Sequence, residues 1–143
     1  MKAILITFTT LSLLISNAIF AQAPSEAVAG TTITVKIPVA SDQGQVVFGL
    51  YTQNNFLQQP IDGINTQVED GVATVTFNNV TPGEYAVIAF HDKNNDNQMN
   101  FDVNGMPLED YGASNNIMSY GPPQWGNAKF EVADAPVALE IRF

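Results

Sequence analysis

Short runs that alternate apolar and polar residues, each closed by a turn rich in Gly, Pro or Asp, constrain this chain more than any other feature. TITVKIPV is the clearest case, with Ile33, Val35, Ile37 and Val39 alternating with Thr32, Thr34, Lys36 and Pro38. A period of two sets one apolar face against a core and predicts a half-buried strand. Pro38 then belongs at an edge or a strand end, because proline has no amide proton to give a ladder. Ser41-Asp42-Gln43-Gly44 reads as a turn, and QVVFGLYT after it is apolar on both faces, with Gly49 marking a bulge or a close approach. Residues 53–70 are mostly polar, and Leu57, Ile61 and Val68 are the candidates to anchor a short irregular strand there. VATVTFNNV points Ala73, Val75 and Phe77 one way. EYAVIAFH carries apolar residues on both faces, which predicts a central strand. AKFEVAD and VALEIRF follow near the end, with Ala128, Phe130, Val132, Val137, Leu139, Ile141 and Phe143 expected to face inward. No stretch after the first thirty or so residues holds a helical period, so the pattern predicts an all-β fold, a single antiparallel β-sandwich of about seven strands.

The first residues follow a different logic. Lys2 precedes an apolar run from Ala3 to Ile15, and Ser16 to Ala21 are smaller and more polar. This is the pattern of a secretory signal peptide, with an apolar stretch too short for a good membrane span. Residues 1–21 are therefore expected to be the signal, cut after Ala21 or shortly beyond, and 22–30 a flexible lead-in to one domain over 31–143. Export to the periplasm or the medium follows, with no membrane insertion after cleavage. The chain has no Cys, which removes disulfides, thiol catalysis and a lipoprotein anchor, and its single His argues against a protein-only zinc site. A net charge of −9 repels phosphate backbones and excludes nucleic acid as a natural partner.

Residues 92–127 break the strand rhythm with one long polar connection. Loops of that length in small domains are functional or disordered. Phe101, Leu108, Tyr111, Tyr120 and Trp125 supply too much apolar matter for disorder, so something must hold the loop. The loop begins in HDKNNDNQMNFD, where four of twelve residues are Asn and three are Asp. Asp92, Asn94 and Asp96 stand at the first, third and fifth places of a Ca²⁺-loop pattern, with Asn97 where glycine is usual. Gln98 would offer a backbone carbonyl, and Asn100 and Asp102 further side-chain oxygens. Val103 stands where an EF-hand has its bidentate Glu, and the lead-in is a strand, so this is no EF-hand. The expected ion is Ca²⁺, at the weak affinities of ~10⁻⁴ to 10⁻³ M typical of extracellular modules. The competing reading is a metal-free turn, since Asn and Asp also bond their own backbone.

Other residues invite chemistry less strongly. His91 abuts Asp92, but neighbours on a strand face opposite ways, and a strand-end His bonded to loop backbone is the plainer reading. Glu109 and Asp110 add carboxylates, and Tyr111 and Trp125 could form part of an aromatic platform.

The stretch VTPGEYAVIAFHDKNNDNQMNFDVNGMPLEDYGASNN, followed by GPPQWGNAKFEV, resembles the DUF2141 family of exported bacterial proteins. The matching features are the turn and strand over Pro82 to Ala86, the Asp/Asn series from His91 to Asn100, Gly105 to Asn115, and Pro122 to Phe130. Asn97 and Asn100 depart from the family pattern, which usually has Gly and Asp there. The resemblance spans roughly residues 33–143 and implies a secreted or periplasmic β-sandwich, similar to transthyretin-like, immunoglobulin-like or carboxypeptidase-regulatory-like modules. It implies no activity.

The sequence is thus expected to encode an exported, non-enzymatic module. A Ca²⁺ ion held by Asp92, Asn94, Asp96, Gln98, Asn100 and Asp102 would order its loop. His91, Glu109, Tyr111, Asn115 and Trp125 would offer a surface to a protein or glycan at the cell envelope. The alternatives are a cell-envelope hydrolase using His91 with loop carboxylates, and a purely structural, metal-free accessory subunit.

Overall fold

The structure is a computed structural model that describes residues 30–117 and 120–143; the signal-peptide reading and the lead-in up to residue 29 fall outside the described residues. Eight strands are described: β1 (Thr31–Pro38), β2 (Gln45–Tyr51), β3 (Asp62–Thr66), β4 (Val72–Val80), β5 (Gly83–Asp92), β6 (Tyr111–Ala113), β7 (Phe130–Val132) and β8 (Val137–Glu140). One helical turn, α1 (Trp125–Ala128), precedes β7. The strands form a three-stranded sheet ordered β4-β1-β8 and a five-stranded sheet ordered β3-β2-β5-β6, with β7 also on β5. The fold is all-β and sandwich-like, as the alternation predicts.

Period two places the core. Ile33, Val35 and Ile37 of β1 and Ala73, Val75 and Phe77 of β4 bury one face of the small sheet. Val46, Phe48 and Leu50 of β2 and Tyr85, Val87 and Ala89 of β5 oppose them. Pro38 closes β1, as its missing amide requires. Gly49 is no bulge, because β2 keeps continuous register with both β3 and β5 through it. It is a close approach: a Cβ there would lie 2.7 Å from the Tyr51 ring, so the ring lies over bare backbone.

Four details differ from expectation. β6 is an extra strand inside the long connection, three residues long and so without a readable period. β8 pairs with β1 in parallel, Ile33 opposite Val137, because the chain crosses from the large sheet to the small one between β7 and β8. Of the three expected anchors of the β3 region, Leu57 and Ile61 are exposed, while Val68 packs against the core together with Ile64. Phe143 lies beyond β8 and remains 37 % exposed, whereas Ile141 is buried and its amide donates to the Lys36 carbonyl.

Candidate functional site

The end of β5 splits two neighbouring side chains between two environments. His91 pairs with Val46 and Asp92 with Gln45. His91 is buried, and its Nε2 lies 2.6 Å from the Gln43 carbonyl oxygen, which ties the ring to the turn before β2. Asp92 is also fully buried, and the chain folds back over it. Its Oδ1 accepts from the Asp96 amide at 3.2 Å, and its Oδ2 from the Asn97 amide and Gln45 Nε2, both at 2.9 Å. A carboxylate that accepts several N–H bonds curls the chain around itself, as in an Asx turn.

The curl gathers alternate side chains. Asp96 Oδ2 accepts from Asn94 Nδ2 at 2.9 Å and from Asn100 Nδ2 at 3.0 Å, and Asn94 Nδ2 also reaches Asn100 Oδ1 at 3.1 Å. The Asn100 amide leads the interactions that hold the Asp96 carboxyl below the usual carboxylate range, with the Gln98 backbone N–H next. Asn97 has φ +62°, a left-handed backbone that Asn tolerates better than most residues. Its Oδ1 accepts from Gln45 Nε2 on β2 and from Asn65 Nδ2 on β3. The residue that replaces the usual glycine thus keeps the required conformation and adds ties to two strands.

Glu109 closes the arrangement from below. It is 7 % exposed, and its carboxylate accepts from the Lys93 amide at 3.1 Å and the Asn100 amide at 3.2 Å, joining the two ends of the curl. Beyond Asn100 the chain forms a small flap: Phe101 bridges Pro107, the Leu108 amide donates to the Asn100 carbonyl, and the Asp102 amide donates to the Met106 carbonyl. Asp102 caps the tip, its Oδ1 accepting from the Asn104 amide at 2.8 Å and the Met106 amide at 2.9 Å. The Met106 bond is foremost among those that lower the Asp102 pKa.

The underside of the flap and the outer face of the large sheet enclose a cleft of about 580 Å³. Ile88 and Phe90 of β5 line its floor, with Tyr51 and Tyr111 beside them, while Met99, Phe101 and Met106 descend from the loop and Pro122 and Pro123 border it. Burial raises the pKa of the Tyr51 hydroxyl. Behind Tyr51 runs an aromatic stack: its ring meets Phe56 edge-on at 6.0 Å, and Phe56 meets Trp125 edge-on at 5.6 Å.

The residues expected to bind metal therefore divide. Asp92, Asn94, Asp96 and Asn100 share one curl, and the Gln98 amide donates to Asp96 Oδ1 at 2.8 Å. Asp102 belongs to the flap tip instead. Among the described residues no three His, Asp or Glu groups gather at a metal-sized site, and the curl offers two carboxylates and two amides. The residues expected to form a surface divide too. Tyr111 lines the cleft. Trp125 opens α1 and packs on Phe56, with the Phe56 and Tyr51 rings between it and the cleft. Asn115 is a staple, its Nδ2 donating to the Asn127 and Lys129 carbonyls at 3.0 and 2.9 Å. His91 and Glu109 face inward and are corrected out of any exposed surface: each satisfies main-chain groups within the fold. The floor of the cleft was not singled out from the sequence. The apolar outer face of β5, at Ile88 and Phe90, was the signal that could have found it, since such a face needs a cover.

Searches of curated proteins and of solved structures return no match. A family profile described as "Uncharacterized protein conserved in bacteria (DUF2141)" matches residues 33–140, which takes in both sheets, the curl, the flap and the cleft. The chain belongs to the DUF2141 family.

Proposed function

We propose that this protein is an exported, non-enzymatic β-sandwich module whose Asp/Asn curl takes a Ca²⁺ ion and thereby steadies the flap over a binding cleft. The observation that carries this reading is the convergence of Asn94, Asp96 and Asn100 on one another above the buried Asp92 carboxylate. The donor set is all oxygen once the two amides turn over, and oxygen ligands suit Ca²⁺. Asn94 and Asn100 now direct amide N–H groups at Asp96; a half-turn of each amide would present its oxygen instead. Asp92, Asn94, Asp96 and Asn100 would hold the ion, which would neutralise the two carboxylates and cross-link the curl. The export assignment rests on the signal-like first 21 residues. The non-enzymatic assignment is supported by the bonding of His91 and Glu109 to main-chain groups, away from one another's chemistry.

Calorimetric titration with Ca²⁺, together with thermal melting, tests the reading. At free Ca²⁺ about a hundredfold above Kd, the native state should gain about 2.7 kcal/mol and the melting point should rise. Asp96→Ala should abolish both the heat and the shift. No heat and no shift at millimolar Ca²⁺ would sink the ion. A specific observation favours that second outcome: the Asn100 amide stands where the family usually has a carboxylate, and with Asn94 it already satisfies Asp96. The curl would then be a metal-free staple in an accessory domain.

A further inference from the structure

From the cleft between the flap and the outer face of the large sheet, we infer a binding site for an apolar small molecule that carries no negative charge. The inference deepens the binding-module reading by naming the class of ligand. At about 580 Å³ the cleft falls within the range that holds small organic ligands. Its contacting surface is made by Ile88, Phe90, Tyr51, Tyr111, Phe101 and Met106, which offers rings and a flexible thioether with few polar atoms. The Tyr hydroxyls supply orientation; among the described residues Tyr111 spends its own on a 3.4 Å contact to the Gly121 carbonyl.

Charge selects among apolar ligands. Among the described residues no Lys or Arg lines the cleft. Lys93 is paired with Asp110, Lys129 with Glu84 and Arg142 with Glu140, while Lys36 lies exposed on β1 of the other sheet. The charged group nearest in the chain to the flap tip is Asp102, whose oxygen accepts the amide of Met106, a lining residue. An anionic ligand would enter a chain of net charge −9, next to a flap tip that carries a carboxylate, with no compensating base among the described lining residues. A neutral ligand meets no such barrier, and a cation finds ring faces as well.

The test uses two fluorescent probes with one ring system, neutral N-phenyl-1-naphthylamine and anionic 1-anilinonaphthalene-8-sulfonate, on the full mature protein. The neutral probe should bind at one site, and the sulfonate about tenfold or more weakly. Phe101→Ala, at an exposed flap position, should weaken the neutral probe, and Ile88→Asp should abolish its binding while circular dichroism stays native. Met106→Lys should recover sulfonate binding. Equal binding of both probes, failure of the neutral probe to bind, or indifference to all three substitutions would overturn the proposal. So would neutral-probe binding that appears only on dilution of a dimer, which would make a second copy the occupant. Each titration is run with Ca²⁺ and with chelator. Neutral-probe binding that ignores Ca²⁺ but obeys the substitutions upholds the ligand class and removes the ion from the flap's support. Loss of probe binding, with the calorimetric Ca²⁺ heat intact, does the reverse.

Discussion

The two faces of the large sheet are stabilised by different physics. On the inner face, Val46, Phe48, Leu50, Val87 and Ala89 meet the small sheet in a regular apolar core. On the outer face, a curl and a flap are held by side-chain oxygens that accept backbone amides: Asp92 for Asp96 and Asn97, Glu109 for Lys93 and Asn100, Asp102 for Asn104 and Met106. Burial of apolar area is non-directional and spreads over many contacts. A carboxylate that accepts two amides is directional, and losing it opens one place. The inner face should therefore fail globally, and the outer face in pieces.

The most damaging break is in the core. Phe48 is fully buried, and Phe48→Ala should cost about 3–5 kcal/mol, read as a lower urea midpoint with an unchanged slope for all strands together. Glu109→Ala should cost less, about 1–3 kcal/mol, because it strands two amides under the curl. Hydrogen exchange should quicken at Lys93 and Asn100 and stay slow in β2 and β4; uniform acceleration across the protein would erase the distinction between the faces.

Acid should produce the smallest effect. Asp96 and Asp102 have pKa values held below the unfolded value of 3.8 by hydrogen bonds to their charged forms. The folded state therefore binds fewer protons, so their stabilisation is complete above that value and is lost as pH falls through the folded pKa values. On acid titration the Asn104 and Met106 amides should loosen before any core amide, and Asp102→Asn should remove that pH response. If core and flap amides titrate together, the outer face is not independent.

The sequence was most legible where structure is local and repeats. β1 and β4 read directly because polarity reports which way each residue points, and β2 and β5 read as central strands because both of their faces are apolar. The left-handed backbone at Asn97 was readable because a loop with that spacing needs a tolerant residue there. Glu109 as the clamp was not, since its partner at Lys93 is sixteen residues away and nothing local marks the pairing. Ser114 escaped for the same reason: it accepts the Val87 amide at 3.0 Å and donates to the Ala128 carbonyl, bridging β5 to α1. The cleft was hidden because its lining is drawn from β2, β5, β6, the flap and the Pro122-Pro123 segment, which are far apart in the chain.

The parallel seating of β8 on β1 has a kinetic meaning. β1 lies between β4 and β8, and Lys36 takes Thr74 as its partner on one side and Glu140 on the other. The β4 side can form after closure of a loop of about forty residues, while the β8 side needs about a hundred. Until then β1 keeps one bare ladder edge, the kind of edge that templates stray pairing between molecules. Lys36 stands within the stretch that β8 will cover, and its charge discourages a second chain from pairing there first. The residue opposite Glu140 thus guards the chain while it is still folding.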